Sequence, residues 1–329
     1  MKRAITIIAG IVILALIYWQ IDFNRILAVL GRLDPLYLVL GLLMFAPLIA
    51  AVSYRMQIML PGEARMPFGD SMGLILAAQV LNMVLPSKMG DIAKLFFIEK
   101  RGYASRGLAF ALVIFERICD VMALLFWGLI GLILLPGRDE LLGGFALVIG
   151  VGLVSGGVVL ASPGLARLLF VVLERILPAK FAAKVSKISD AWFQMQSYFW
   201  EHPLRTGGIV LLSLVTWFFN LSQVWLFALA IGSVSLLTNL ALAPLAILAG
   251  LLPITFAGIG TRDAAIIYFY EPYLGTDGGA ALGLLTTLRY FVPALLGLPF
   301  FMKYLNEMPV EMQSATGAGA TGDDKTERK

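Results

Sequence analysis

Three ionisable residues stand inside an otherwise apolar stretch and have the types and spacing to do chemistry. Glu116, Arg117 and Asp120 lie within the apolar residues 108–135. Residues three and four apart share a helix face, so one guanidinium and two carboxylates would lie together. Arginine binds phosphate through two parallel hydrogen bonds, and ions within an apolar span usually face a cavity or a partner. The pattern predicts a binding site for an anionic group; an ion pair that fixes helix packing is the structural alternative.

Two short segments with proline and glycine break apolar stretches, one in each half of the chain. They are residues 85–91 (Leu-Pro-Ser-Lys-Met-Gly-Asp) and residues 252–263, which end in Gly-Thr-Arg-Asp. Half-helix N-termini attract anions, and glycine lets the backbone approach a ligand closely. The candidate substrate-binding residues of the breaks are Lys88, Gly90, Asp91, Gly258, Gly260, Arg262 and Asp263. The alternatives are that Lys88 extends to the membrane interface, that Asp91 caps a helix, and that Arg262 only faces headgroups.

Two further arginines lie in apolar spans, and we expect different roles for them. Arg289 is deep in its span and needs a partner, for which Asp263 or Glu271 is predicted, so it joins the candidate substrate-binding residues. Arg55 lies close to the end of its span and is expected to reach the interface as an anchor. Asn82, just before the first break, is expected to satisfy backbone groups that the break leaves without partners.

The composition restricts the class of protein. Of the 329 residues, 60% are hydrophobic and 14% are charged, and the mean hydropathy is +0.88, as in polytopic membrane proteins. The net charge of +4 does not indicate nucleic-acid binding. Cys119 and His202 are the only residues of their types, which excludes an intramolecular disulfide and a Cys/His metal site. No nucleotide-binding loop is present, and we expect no cofactor and no metal.

The apolar pattern predicts an all-α polytopic membrane protein with about six spanning helices and two re-entrant hairpins of broken helices. The predicted spans are residues 4–21, 36–60, 108–135, 141–162, 206–231 and 279–303. The hairpins cover 68–101 and 239–272; since they would enter from opposite sides, they indicate an inverted repeat. Residues 1–311 form the predicted membrane domain and 312–329 a disordered cytoplasmic tail.

The distribution of basic residues predicts the orientation. Most of the 25 lysines and arginines fall on one side of the predicted layout, which places both termini in the cytoplasm and the protein in a cytoplasmic membrane, the inner membrane of a bacterium. Residues 163–205 form an amphipathic, basic connector on that side. Its apolar stripe either packs on the helix bundle or contacts anionic lipid.

The motifs together resemble the lysylphosphatidylglycerol synthase transmembrane-region family of flippase-like membrane proteins. The resemblance rests on residues 82–91 (Asn-Met-Val-Leu-Pro-Ser-Lys-Met-Gly-Asp), 102–105 (Gly-Tyr-Ala-Ser), 116–120 and 252–263, and covers roughly residues 35–305. The family pattern often has arginine in place of Lys94 and glutamate in place of Asp263. No aminoacyl-lipid synthase domain follows Lys303 in this sequence, so we expect a stand-alone member.

The resemblance implies a translocator that moves a lipid with a polar or phosphate-bearing headgroup between leaflets. Its arginines would line a water-accessible cavity, and its partners would be membrane lipids, together with a lipid-modifying enzyme or a glycosyltransferase. The alternative is an integral membrane transferase, or an accessory subunit, in polyprenyl- or hopanoid-related lipid biosynthesis. With no recognisable catalytic motif in the sequence, the non-enzymatic role is favoured.

Overall fold

The computed structural model of the chain describes residues 23–60, 66–84, 90–135, 140–177, 179–251 and 260–305. These residues form thirteen α-helices and no strand. The helices are α1 (Phe23–Leu30), α2 (Pro35–Leu43), α3 (Phe45–Met59), α4 (Phe68–Val84), α5 (Gly90–Lys100), α6 (Arg106–Leu134), α7 (Glu140–Ala161), α8 (Pro163–Ile176), α9 (Ala179–Glu201), α10 (Pro203–Ile231), α11 (Leu236–Leu251), α12 (Thr261–Leu288) and α13 (Phe291–Leu305). The predicted all-α class is confirmed.

Several helices are long and apolar enough to cross a bilayer. By length and composition these stretches are Pro35–Met59, Glu140–Val158, Pro203–Ile231 and Thr261–Tyr304. Helix α6 has 29 residues, about 44 Å at 1.5 Å per residue, which exceeds the thickness of a hydrocarbon core. The predicted first span, residues 4–21, lies outside the described residues, as does the predicted tail. The total of six spans stays a prediction.

Local capping signals set where α2 and α6 begin. Asp34 accepts a hydrogen bond from the backbone N–H of Leu36 (2.8 Å), and Pro35 occupies the first helical position. Ser105 accepts from the N–H of Leu108 (3.4 Å) at the start of α6. A side-chain oxygen at this position satisfies one of the amides that the first helical turn leaves without a partner.

Both predicted breaks separate two helices that pack against each other. Helix α4 ends at Val84 and α5 begins at Gly90, where the Gly90 N–H donates to Asn82 Oδ1 (2.9 Å). This confirms the role expected for Asn82. A Cβ at Gly90 would lie 2.3 Å from the Ala78 carbonyl oxygen, so glycine is required for contact between the two helices. In the second half, α11 and α12 are likewise in contact. Whether these hairpins are re-entrant stays a prediction.

Each half also contains a glycine with positive φ before its last long segment. Gly102 (φ 73°) lies between α5 and α6, and Gly275 (φ 69°) kinks α12. The order is therefore the same in both halves: helix, break, helix, left-handed glycine, long helical segment. This shared order is compatible with the predicted repeat, whose opposite topology in the two halves stays a prediction.

Helices of the two halves of the chain pack closely against each other. A Cβ at Gly131 of α6 would lie 2.3 Å from the backbone of Leu240 in α11. A Cβ at Gly297 of α13 would lie 2.3 Å from the carbonyl oxygen of Leu76 in α4. The first arm of each break thus packs on a glycine in the long segment of the other half. Small residues at such crossings let helix backbones approach closely, as is common in membranes.

The connector 163–205 folds as α8 and α9, joined to the start of α10. Trp192, Met195 and Phe199 of α9 are buried in the apolar core that α3, α4 and α6 also supply. In this part of α9 the apolar stripe packs on the bundle, which is the first of the two alternatives.

Candidate functional site: two buried clusters of basic residues

The first cluster is built around Arg55 of α3. Its Nη1 donates to Asp120 Oδ1 (2.6 Å) and Ser213 Oγ (2.9 Å). Its Nη2 donates to Glu116 Oε1 (2.9 Å). Arg55 and Glu116 are each 1% exposed, so these charges interact far from bulk water. A buried ion of this kind is stable only when its partners are close and well oriented.

Two more cations complete the cluster. Lys94 Nζ of α5 donates to Glu116 Oε2 (3.0 Å) and is buried. Arg117 Nη2 lies 3.4 Å from Glu116 Oε1 and 3.3 Å from Asp120 Oδ2, and its side chain is 41% exposed. Among the described side chains, the cluster contains three cations and two carboxylates, an excess of one positive charge. Arg117 is the most exposed of the three cations.

The structure brings the predicted Glu116, Arg117 and Asp120 together but corrects the prediction for Arg55. The guanidinium of Arg55 does not extend to an interface; it lies inside the protein between the two carboxylates. Charge balance was the signal that could have found it. Two carboxylates in one apolar span need more than the single cation of Arg117, and Arg55 and Lys94 are among the basic residues of neighbouring segments.

The second cluster lies at the start of α12. Arg262 Nη2 donates to Asp263 Oδ1 (2.9 Å) and to Thr287 Oγ1 (2.5 Å). Asp263 Oδ2 accepts from the backbone N–H of Gly260 (3.2 Å), which has φ of 100°. Asp263 therefore caps α12 and neutralises Arg262 at the same time. Both side chains are buried.

Arg289 belongs to the second cluster, but the partners predicted for it were wrong. Its Nη1 lies 3.3 Å from Gln223 Oε1 and 3.4 Å from the Asn220 carbonyl oxygen, and its Nη2 donates to Tyr290 Oη (2.9 Å). Asp263 is engaged by Arg262 instead, and Glu271 is exposed.

Arg289 is therefore held by neutral groups. Its Nε is buried without a hydrogen-bond partner, and among the described side chains no carboxylate lies within ion-pair distance of it. Among the described side chains of this cluster, two arginines and one carboxylate again give an excess of one positive charge.

Two of the predicted arginines line a small cavity in the described part of the chain; a water-accessible cavity lined by the arginines of both halves stays a prediction. Arg262 and Arg289 line one small cavity between α10, α11 and α12. A larger cavity of about 350 Å³ lies elsewhere, between α6, α7, α9 and α10, and none of its lining residues is an arginine or a lysine.

The remaining predicted residues divide into two groups. Lys88 and Gly258 lie outside the described residues, and so does the Pro-Ser-Lys-Met part of the first break. Asp91 lies in the first turn of α5, where a cap is expected, but its side chain is also outside the described part. Gly90 packs on α4 and Gly260 forms the turn into α12. In the described ranges, no group of three or more His, Cys, Asp or Glu residues could hold a metal ion.

Long apolar helices that enclose buried ions define this chain as an integral α-helical membrane protein. The family model of the lysylphosphatidylglycerol synthase TM region matches residues 4–297, and the chain belongs to this family. It is 24% identical to the UPF0104 membrane protein MJ1595 of Methanocaldococcus jannaschii, over 90% of this chain and 93% of that protein. It is also 29% identical to Glycosyltransferase AglD of Haloferax volcanii, over 47% of this chain and 25% of that protein.

Proposed function

We propose that the protein moves a lipid with a polar or phosphate-bearing headgroup between the leaflets of its membrane. The observation that supports this most directly is the pair of buried clusters, each beside a helix break in its own half. In each cluster the described cations outnumber the described carboxylates by one. A phosphate that enters such a cluster exchanges its hydrogen bonds with water for hydrogen bonds from guanidinium groups. The planar guanidinium group can donate two parallel hydrogen bonds to two phosphate oxygens. The acyl chains would remain in the bilayer.

The arrangement of charges suggests how a headgroup would be received. Arg117 would contact it first, since Arg55 and Lys94 are buried against Glu116 and Asp120. These two carboxylates hold the cations in place and lower the affinity for phosphate, so that the lipid can leave again. In the second half, Arg289 would play the corresponding role because its present partners are neutral.

We also propose an orientation and the partners that follow from it. The excess of lysine and arginine on one side of the predicted layout supports cytoplasmic termini in the cytoplasmic membrane, the inner membrane of a bacterium. The partners would then be anionic or phosphate-bearing membrane lipids, with a lipid-modifying enzyme that supplies or consumes the cargo.

Two substitutions test the proposal while each leaves the buried ion pairs of the other cations in its cluster in place. Arg117→Gln removes the half-exposed cation of the first cluster and leaves Arg55 and Lys94 to balance the carboxylates. Arg289→Gln removes the buried arginine of the second cluster whose described partners are neutral, and it leaves the Arg262–Asp263 pair intact. In vesicles of phosphatidylcholine with a trace of headgroup-accessible fluorescent phosphatidylglycerol, we expect either change to slow leaflet exchange at least tenfold, about 1.4 kcal/mol. Arg106→Gln, at a residue whose side chain is 79% exposed, is the matched control and keeps the wild-type rate.

Exchange at the wild-type rate in both cluster variants would contradict the proposal. Loss of exchange in the Arg106→Gln control would show that the assay responds to surface charge rather than to the clusters. Equal exchange rates for phosphatidylglycerol and for uncharged lipids, in both the wild-type protein and Arg117→Gln, would also exclude phosphate recognition by these arginines.

A second candidate function follows from one comparison. Part of the chain is similar to a protein named as a glycosyltransferase, and the match covers a quarter of that protein. This favours a role as a transferase, or as an accessory subunit, in polyprenyl- or hopanoid-related lipid or glycolipid biosynthesis. Vesicles that contain only this protein and a polyprenyl-linked sugar distinguish the two functions: new lipid species support the enzyme, and altered sidedness alone supports transport.

A further inference from the structure

Helix α8 has an apolar face that the other described helices do not cover. Its exposed large apolar side chains are Leu165, Leu168, Val171, Val172 and Ile176. All of them except Val171 recur every three or four residues and lie within about 80° of one another around the helix axis. A different side of α8 packs on the bundle: Ala166 is buried, and the ring of Phe170 contacts that of Trp192 on α9, with 6.1 Å between the centroids. The apolar surface of α8 is therefore wider than its contact with the bundle.

The uncovered face continues the exposed surface of a candidate membrane span. That span is Glu140–Val158 of α7, and its exposed apolar side chains include Leu147, Val148, Val151 and Val154. Ser162 joins α7 to α8: its N–H donates to the Val158 carbonyl oxygen (2.8 Å), and its Oγ accepts from the N–H of Leu165 (3.3 Å). A helix that begins where a span ends starts at the surface of the hydrocarbon core. The exposed apolar side chains of α8 thus follow directly on those of a span.

The charged residues of α8 lie on its remaining side. They are Arg167, Glu174 and Arg175, which lie within about 100° of one another around the helix axis. Both arginines are exposed, and neither takes part in an ion pair among the described side chains. The guanidinium carbon of Arg167 lies 5.4 Å from the centroid of the Phe193 ring. A cation–π contact of this kind holds the group in position without using its hydrogen-bond donors.

We propose that α8 lies in the plane of the membrane surface and binds anionic lipid headgroups there through Arg167 and Arg175. Its uncovered apolar face is buried at the boundary between headgroups and acyl chains, and the two guanidinium groups donate to phosphate oxygens. Amphipathic helices with basic residues beside an apolar face bind membranes in this way. The bilayer is favoured over a protein partner because the uncovered face is continuous with that of α7. Arg167 and Arg175 belong to neither buried cluster, so this lipid site is separate from the one proposed for cargo.

The first test uses the wild-type, full-length protein in phosphatidylcholine nanodiscs. Two probes are compared at the same trace concentration, phosphatidylglycerol and phosphatidylcholine, each with a diazirine near the carboxyl end of one acyl chain. Relative to peptides of α7, we expect peptides of α8 to be photolabelled about fivefold more by the phosphatidylglycerol probe. Fivefold corresponds to about 1 kcal/mol, about the attraction of one basic side chain to an anionic surface. Equal labelling by the two probes, or no labelling of α8, would overturn the proposal without any variant.

A double substitution and its matched control assign the preference to the two arginines. In Arg167→Gln/Arg175→Gln we expect equal labelling of α8 by the two probes. Arg32→Gln/Arg106→Gln removes two exposed arginines elsewhere in the chain, and therefore the same total charge, and should keep the fivefold preference. A preference that survives the loss of Arg167 and Arg175, or that disappears in the control, would show that net charge rather than α8 attracts the anionic lipid, and the proposal would be wrong.

Spin labels measure whether the apolar face of α8 lies in the bilayer. In a Cys119→Ala background, a nitroxide is attached at Leu168→Cys, with Val151→Cys as the lipid-facing reference and Arg106→Cys as the aqueous one. We expect the label at position 168 to collide more with oxygen than with a water-soluble nickel complex, as at position 151 and opposite to position 106. More collisions with the nickel complex, or protection from both reagents as beneath a protein partner, would contradict the proposed position. Photolabelling of α8 does not depend on leaflet exchange, so this proposal and the transport proposal can fail independently.

Discussion

Arg55→Met removes the central cation of the first cluster and leaves Glu116 and Asp120 buried with one cation fewer. Arg55 donates three hydrogen bonds, at 2.6, 2.9 and 2.9 Å, to Asp120, Glu116 and Ser213. Methionine fills similar space but pairs with neither carboxylate. Breaking a buried ion pair by removing one partner costs about 3–5 kcal/mol. Here Lys94 and Arg117 still balance the net charge, but Asp120 Oδ1 and Glu116 Oε1 lose their buried hydrogen-bond donor. For a chain of this length we expect the unfolding midpoint to fall by about 5 °C.

Cys119 provides the assay. It is the only cysteine of the chain, it is buried, and it lies between the two carboxylates on α6. A thiol-reactive fluorophore in detergent therefore reports the temperature at which this part of the core opens.

Two further variants test whether the loss of stability in Arg55→Met depends on the burial of its ion pairs. Arg106→Met is the same substitution in an exposed pair, where Arg106 Nε lies 3.8 Å from Glu99 Oε2, and should shift the midpoint little. Arg55→Met/Asp120→Asn removes one charge of each sign and should recover part of the loss. If Arg55→Met unfolds at the wild-type temperature, or if the double variant is less stable than the two single changes predict together, the buried network does not stabilise the fold as argued here.

Two smaller predictions concern helix packing and an extramembrane tyrosine. Gly131→Ala should destabilise the protein because its Cβ would lie 2.3 Å from the Ala241 backbone nitrogen, whereas Gly150→Ala, whose nearest neighbour is 3.9 Å away, should be neutral; the thiol assay compares them. Burial and the adjacent Asp70 carboxylate raise the pKa of Tyr103, so the neutral phenol persists above pH 10 in the folded protein. Because the unfolded chain loses this proton at lower pH, the stability that Tyr103 contributes is lost as the pH rises past 10. Asp70→Asn should lower that pKa, as a tyrosine-selective NMR titration can measure; an unchanged value would exclude the carboxylate as a cause.

Much of the fold could be predicted from the sequence because the signals are local. Hydropathy over about 20 residues marks the spans, and Asp34-Pro35 marks a helix start. Proline and glycine at 85–91 and 252–263 mark the places where helices end. The spacing of Glu116, Arg117 and Asp120 places them on one face before any packing is known.

The partners of those residues depend on packing between distant segments. Arg55 meets Glu116 across 61 residues and Asp120 across 65, and Arg289 meets Gln223 across 66. No local pattern distinguishes an arginine that reaches the interface from one that turns inward, since both begin near the end of an apolar helix.

The sequence alone therefore determined the all-helical membrane class, the two breaks and the ionisable residues beside them, since these follow from transfer free energies and backbone geometry within a few turns of helix. Only the tertiary structure decided which carboxylate neutralises which cation, and that the described side chains of each cluster include one more cation than carboxylates. These outcomes depend on which side chains meet when helices from different parts of the chain pack together.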